Sequence, residues 1–534
     1  MSPTPLIRDL RTGISAPAPY LCEFDSSIYW STDTEPLAAA RHRTRSLLEL
    51  WGLRPNVVLI NCGLSFRMPG WVVVLVVTHP WVGRTGQVNL GVLTQFVSPD
   101  LVERAIAGRT LDRSRRAGPL PMGFAVYFEL ALALFAGNSY EDVADDLVCS
   151  VPALYESVPA KSALLGARRR LGEEAMRAVF EHVVAQPVAG ESTLGARWSG
   201  FRVFGVDGFA LEVPDTEANR ACFDGPSASN GRNQARPVGY PQAKVVTLIE
   251  TGTRAPRAAA IGGYRTGEME LAVPLAAAVG HGDLVLFDRG FPSIALWRAF
   301  DERGAAIVMR AKATVARTNP RPLPDGTHLV EMWTRGRVGR GDATCVTMRQ
   351  IEYRIDGGET IRLLTNLLDT ARYPAGALAA LYAERWQCET GNLQIKTLQM
   401  GRASILRSRE PGLVRQEIWA HLTVNAALTR LITLMADERR SDPERISFTK
   451  VLKQARRTVI QQVARHIGQA ARHALDIADD LRRYHNPQRP PRASDHTIKR
   501  LRHRYPERKP DTRGKPVTIT TPPKTIALLT ANHN

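Results

Sequence analysis

Along the first 85 residues, apolar and polar positions alternate too irregularly to define a domain. Only a short helical pattern over Leu37–Trp51, the apolar patch Val72–Val77 and several Pro-rich stretches stand out. From 86 to 190 the apolar positions recur at helical spacing. Asp100–Ala107 is short, and Pro121–Phe135 is apolar on most faces. Ser139–Val148 is amphipathic and opens with Ser-Tyr-Glu-Asp, a capping-type beginning. Lys161–Arg170 follows a Pro-containing turn and ends in Arg168-Arg169-Arg170. Two helices, a turn and a basic second helix fit a helix-turn-helix as well as they fit a helical bundle with a solvated basic edge.

After residue 200 the period changes. Phe201–Val206, Ala243–Glu250, Leu284–Phe287 and Ala305–Met309 are short β-rich runs bounded by Gly, Asp and Pro. Helical patterns at Glu268–Ala278 and Pro292–Asp301 separate some of them, which predicts a mixed α/β domain. His328–Trp333, Thr344–Tyr353 and Thr360–Leu367 are further strand-like segments with little helix between them, so 311–374 reads as a β insertion. The pattern is helical again from Ala375 to about Leu481. The tail from 485 to 534 is rich in Pro and Arg and poor in apolar runs, and disorder is the expectation there.

Charge changes this picture. The 534 residues carry 70 Lys+Arg against 52 Asp+Glu, a net charge of +18. Residues 481–534 alone hold thirteen basic and three acidic side chains, more than half of that excess. A polyanion, most simply nucleic acid, is the partner this implies. Arg109, Arg113, Arg115 and Arg116 form a second cluster suited to phosphate contact. The longest bare apolar run, Trp71–Val77, is far below the ~20 residues that span a bilayer. No basic start followed by an apolar stretch opens the chain, and no membrane role is expected. The six cysteines are scattered without a CxxC pair, which fits a reducing cytoplasm.

Three acidic positions could carry chemistry. Asp207 follows the apolar run Phe201–Val206, and Asp288 follows Leu284–Phe287. Each stands at a strand end, where ligands of α/β domains gather, although a turn cap or a pair with Arg289 is an ordinary alternative. The third lies in a helical run over 375–398. Tyr382, Arg385, Glu389 and Lys396 fall within about 60° of one another on a regular helix and extend over about 21 Å. Glu384 points to the other side. A stripe of that length with two cations and an aromatic suits a bound nucleic-acid strand. A solvated face with an Arg385–Glu389 pair is the plainer reading.

Tyr382-x2-Arg385-x3-Glu389-x6-Lys396 resembles the YREK signature of the DDE transposases of the insertion-sequence-four family. Val206-Asp207-Gly208, Asp215-Thr216-x2-Asn219, Tyr264-Arg265-Thr266-Gly267-Glu268 and Asp288-Arg289-Gly290-Phe291 resemble its other blocks. Phe209 departs from the Thr usual there. The resemblance runs from about 92 to 430. It implies an α/β fold with a ribonuclease-H-like catalytic core interrupted by a β-strand insertion, an N-terminal helical DNA-binding domain and a C-terminal helical region.

The expected organisation is a 1–85 extension, an 86–190 helical DNA-binding domain, core parts at 191–310 and 375–440 around the 311–374 insertion, a 441–484 helical region and the 485–534 tail. The resemblance also implies that Asp207, Asp288 and Glu389 are catalytic and bind two Mg²⁺ ions, with Mn²⁺ as a substitute. DNA contacts are assigned to Tyr382, Arg385, Lys396, Arg168, Arg169, Arg170 and Trp333. Trp386, beside the stripe, is expected in the core. The implied activity is cut-and-paste transposition: binding of terminal inverted repeats, metal-dependent strand cleavage and strand transfer into target DNA by a homodimer on double-stranded DNA, at the bacterial nucleoid. A structure-selective nuclease without strand transfer and an inactive transposase-derived DNA binder are the alternatives.

Overall fold

The computed structural model describes residues 88–460, apart from 108–119, 149–157, 186, 230–234, 313–317, 334–344, 356–359 and 402–404. Beyond these it describes Tyr484, Asn486 and five three-residue strands. The Arg109–Arg116 cluster, the Leu37–Trp51 pattern and most of the tail lie outside the described residues. The chain divides into two compact units, 1–85 and 86–534. In the first, Leu6–Arg8 pairs with Ser15–Pro17 and Tyr29–Ser31 with Val72–Val74.

The second unit begins with helices α1 (Pro99–Ile106), α2 (Met122–Leu134), α3 (Tyr140–Val148) and α4 (Lys161–Val183). Ser98 caps α1 by accepting from the Leu101 amide, and Pro99 presets its first turn. α4 runs thirteen residues past the basic triplet, with a break at Gly172, where φ is 73°. Its buried positions run on through Val183.

One eleven-stranded sheet follows. In chain order its core elements are β1 (Phe201–Glu212), α5 (Glu217–Phe223), β2 (Gln242–Glu250), β3 (Ala255–Gly263), α6 (Glu268–Ala272), β4 (Asp283–Phe287), α7 (Ile294–Asp301) and β5 (Ala306–Arg310). The strands lie in the order β3-β2-β1-β4-β5. The first three are antiparallel, while β4 is parallel to both β1 and β5. The sheet then continues through β9 (Ile361–Thr365), β8 (Cys345–Ile355), β7 (His328–Trp333) and β6 (Thr318–Pro322). The segment 311–374 therefore extends the core sheet edge to edge. Its outermost strand β6 is exposed along its length and carries two prolines, which blunt the edge. Trp333 ends β7 opposite Cys345, and its side chain lies outside the described part.

The expected single helix over 375–398 is three helical types in one run. These are α8 (Ala375–Tyr382), a 3₁₀ turn (Ala383–Arg385), α9 (Trp386–Leu393) and a π segment (Gln394–Gln399). The turns on either side of α9 depart from 3.6 residues per turn, so the angles of a regular helix do not hold along the stripe. α10 (Pro411–Glu438) and α11 (Phe448–Ile460) complete the described helices. α10 packs along α4 and α2.

In the tail, β10 (Ile526–Leu528) pairs with β8 where β7 has ended. This corrects the expectation of disorder at those three residues, because an unpaired backbone edge is available to them. Alternate residues of β1 and β4 feed two cores. Phe204, Val206, Val285 and Phe287 face α6 and α7, whereas Val203, Leu284 and Leu286 face α8. No described helix is long and apolar enough to cross a membrane.

Candidate active site

The strand phase places the first two acids together. Val206 pairs with Phe287 on parallel neighbours, so Asp207 and Asp288 come next in line. Both are in phase with Val203 and Leu284, the face that α8 and α9 cover, on strands about 4.8 Å apart. Asp288 Oδ1 accepts from the Gly290 amide at 2.6 Å. A Cβ on Gly290 would stand 2.8 Å from that oxygen, which explains the glycine of Asp-Arg-Gly-Phe. Phe291 is buried against Phe287 and anchors the turn. On the opposite face, Gly208 leaves room for Glu268, whose carboxyl carbon would be 3.2 Å from a Cβ there. The Asp-Gly and Thr-Gly-Glu blocks of the sequence thus meet through the sheet.

α9 lies unusually close on β1 and β2. A Cβ on Gly205 would fall 2.3 Å from Cys388 Sγ, and one on Gly391 would fall 2.9 Å from Ile249 Cδ1. Cys388 over Gly205 and Asn392 over Asp207 follow one another: four helical residues rise about 6 Å, close to two strand residues. Asn392 Nδ2 donates to Asp207 Oδ2 at 3.0 Å, and Thr247 Oγ1 donates to Asn392 Oδ1 at 2.9 Å. Glu389 is on the same helix and pairs with Arg385.

The electrostatics tie these groups into one neighbourhood. Burial pushes the Asp207 carboxyl up; hydrogen bonds from Asn392 and the Gly208 amide oppose this, Glu389 adds to it and Arg385 opposes it. Burial works against the Arg385 cation, and Glu389, Tyr382 and Asp288 outweigh it. Arg385 therefore feels both Glu389 and Asp288. Three hard oxygen donors from three elements are the right chemistry for a divalent cation such as Mg²⁺. Among the described residues no three His, Cys, Asp or Glu side chains close around one point, and Glu389 is turned to Arg385. The set fits a divalent ion by donor type and by strand placement.

The remaining expected residues divide. Lys396 is exposed on the π segment. Tyr382 is buried, and its hydroxyl donates to the Phe287 carbonyl at 3.2 Å, so it braces the strand end before Asp288 and does not face an open stripe. The basic triplet is corrected more strongly. Arg168 is fully buried: its guanidinium grips Glu129 and donates to Ser408 Oγ at 3.0 Å. Arg169 pairs with Glu410, and Arg170 donates to the Leu120 carbonyl at 3.2 Å. Glu129 and Ser408 occupy Arg168 within the protein, whereas Arg169 stays 43% exposed beside Glu410. Trp386, expected in the core, is 63% exposed beside Arg385.

Sequence reading missed Gly205, Cys388, Gly391, Thr247 and Asn392. The only sequence signal for Asn392 was its place three residues after Glu389, one helical turn along. Asp215-Thr216-x2-Asn219 also acquires a role. Thr216 caps α5 and donates to the Arg409 carbonyl at 2.9 Å, while Asn219 Nδ2 donates to the Ser408 carbonyl at 3.2 Å. With Leu406 N donating to Glu212 O at 3.0 Å, these bonds pin the segment after the π helix to the far end of β1.

The family model described as Insertion element 4 transposase N-terminal matches residues 87–181, and Transposase DDE domain matches 198–425. Transposase InsG for insertion sequence element IS4, from Escherichia coli (strain K12), is 29% identical over 427 residues, covering 78% of this chain and 93% of that protein. The putative transposase InsZ of the same strain is 29% identical over 145 residues, 27% of this chain and 47% of that protein. Among solved structures, a piggyBac transposase synaptic complex with hairpin DNA aligns with a TM-score of 0.37 at 13% identity, covering 76% of this chain and 87% of that one.

Proposed function

We propose, given that this chain belongs to the DDE transposases of the insertion-sequence-four family, that it binds the terminal inverted repeats of its element, cleaves DNA strands at their ends and transfers them into target DNA. The family's DDE domain implies dependence on divalent metal. The observation that carries the reading is the placement of Asp207 and Asp288 in line on parallel neighbours, beneath the helix that bears Glu389. The order β3-β2-β1-β4-β5, three antiparallel strands followed by two parallel ones, supports a ribonuclease-H-like core. The β6–β9 segment, entering between β5 and α8, supports the insertion.

Asp207, Asp288 and Glu389 would hold the metal, which when bound as a pair of Mg²⁺ ions supplies activation of the attacking oxygen and charge neutralisation at the leaving 3′ oxygen. The chain's own residues do the rest. Arg385 and Lys396 offer cations to the phosphates beside the cut. Arg385 holds Glu389 until a phosphate competes for the guanidinium, which then frees the carboxylate toward Asp207. Tyr382 keeps the end of β4 in place. The exposed face of Trp386 offers a flat apolar surface to a base. Water attack gives a 3′-OH, and that hydroxyl attacks the target strand, so one site cuts and joins. A homodimer on double-stranded DNA, working at the bacterial nucleoid, would pair two ends.

The test uses full-length protein, Mg²⁺ and duplexes from the DNA flanking the gene. Denaturing gels should show nicked and joined products with wild type and a loss of at least 100-fold with Glu389→Gln, while mobility-shift affinity for the duplex stays within about threefold. Cleavage retained by Glu389→Gln would remove Glu389 from the site. Cleavage without joined products would favour the nuclease, and binding without cleavage the inactive DNA binder.

A further inference from the structure

We infer that Thr247 and Asn392 form a hydrogen-bond relay that orients the Asp207 carboxylate, making both of them positioning residues of the DDE site. The inference rests on the reading of that site given above.

The two hydrogen bonds interlock. The Thr247 hydroxyl has two acceptors in reach, Asn392 Oδ1 at 2.9 Å and the Asp207 carbonyl oxygen at 3.3 Å, and the shorter contact takes its proton; Asn392 Nδ2 donates to Asp207 Oδ2 at 3.0 Å. Thr247 is fully buried and Asn392 is 5% exposed. Thr247 stands directly across from Asp207 in the β1–β2 ladder, so their side chains share the face on which α9 lies. The ends of a side-chain amide are not equivalent: Oδ1 accepts and Nδ2 donates. With the hydroxyl directed at Oδ1, the amide presents its N–H to the carboxylate. The reversed amide would set Oδ1 against a carboxylate oxygen, two acceptors in a buried place. The hydroxyl therefore selects the amide orientation, and the amide selects the carboxylate rotamer.

The choice of residue suits a metal-binding carboxylate. An Arg or Lys at 392 would pair with Asp207 and compete with a cation. A neutral amide fixes direction and leaves the charge in place. An Asp carboxylate offers about four lone-pair sites. Asn392 engages one of them, which leaves capacity for an ion. Outer partners of this kind orient metal-binding carboxylates in general, and their loss typically weakens metal affinity or activity 10–100-fold. The relay also explains the close approach of α9: without the glycines at 205 and 391, the helix would ride too high for Asn392 to reach β1.

The experiment compares wild type, Asn392→Ala, Thr247→Val, Thr247→Ser, the Asn392→Ala/Thr247→Val pair and Asp207→Asn, all full length. Mn²⁺ binding without DNA is read from the loss of the free-ion paramagnetic signal. The Mg²⁺ concentration for half-maximal cleavage is read separately from the maximal rate. Asn392→Ala and Thr247→Val should each weaken Mn²⁺ binding at least tenfold and raise the half-saturating Mg²⁺ by a similar factor. The pair should be no weaker than Asn392→Ala alone, and Thr247→Ser should return to within threefold of wild type. Thr247→Val keeps the shape of the side chain, so it reports even where Asn392→Ala fails to fold. Asp207→Asn separates the two levels. If it loses Mn²⁺ and cleavage while Asn392→Ala and Thr247→Val bind within twofold of wild type, the relay is wrong and the DDE site stands. If wild type binds no Mn²⁺, or Asp207→Asn binds as wild type does, the site reading falls and the relay with it.

Discussion

At the scale of single residues, burial decides which polar side chains matter, and composition gives no warning of it. His421 is a clear case. Burial first, and then the charge of Arg407, lower its imidazole from an ordinary 6.5 to about 3. Gln399 Nε2 sits 3.2 Å from its Nδ1 and, as a donor, suits the neutral ring. The folded protein thus declines a proton that the unfolded chain accepts below about pH 6.5. Its contribution to stability is complete above that pH and falls as the pH drops toward 3, by up to about 1.4 kcal/mol per pH unit. Urea unfolding at stepped pH should therefore show wild type losing more stability than His421→Gln between pH 6.5 and 4. Parallel curves would mean that the imidazole is solvated in the folded state.

At the scale of elements, the spacing between α9 and the sheet is the quantity the site depends on. Two close contacts set it, Gly205 under Cys388 and Gly391 over Ile249, and the first is the tighter. Gly205→Ala places a methyl 2.3 Å from the thiol sulfur but 3.7 Å from Cys388 Cβ. The single substitution should destabilise by about 1–3 kcal/mol, as overpacking does, and should depress cleavage by lifting Asn392 and Glu389 away from Asp207. Adding Cys388→Ala removes the sulfur and leaves an ordinary contact, so the double variant should recover much of both losses. Thermal unfolding and end cleavage would be measured together; a double variant as impaired as the single would show that the contact does not set the spacing.

Most strands were legible as short, nearly continuous β-rich runs because both sheet faces are buried. β3 was not, since Ala-Pro-Arg-Ala-Ala-Ala carries no β-branched signal before Ile261. It is a strand because β2 offers it a ladder along nearly its whole length, with a bulge between Pro256 and Ala258.

At the scale of the molecule, the N-terminal helices are fastened to the catalytic core by buried charge. Arg168 on α4 holds Glu129 on α2 and reaches Ser408, whose hydroxyl and amide also serve Glu417 on α10. Removing Arg168 would leave Glu129 buried and unpaired. Arg168→Met should cost about 3–5 kcal/mol, and a Glu129→Leu/Arg168→Met pair clearly less. Denaturant unfolding of the four proteins of that cycle would measure this. A loss confined to DNA affinity, with stability intact, would restore Arg168 to the DNA-contact role expected of it.

The sequence by itself determined most of the order of helices and strands, the net positive charge, the three carboxylates and the YREK spacing. These depend on residue type and on distances along the chain. Only the tertiary structure decided which polar groups face one another. It turned Arg168 and Tyr382 inward, left Trp386 in solvent and set Asn392 over Asp207. The physical reason is that a hydrogen bond or an ion pair depends on separations of about 3 Å. Such separations arise between residues far apart in the chain, 240 positions for Arg168 and Ser408 and 366 for Val92 and Thr458, and periodicity along the chain does not encode them.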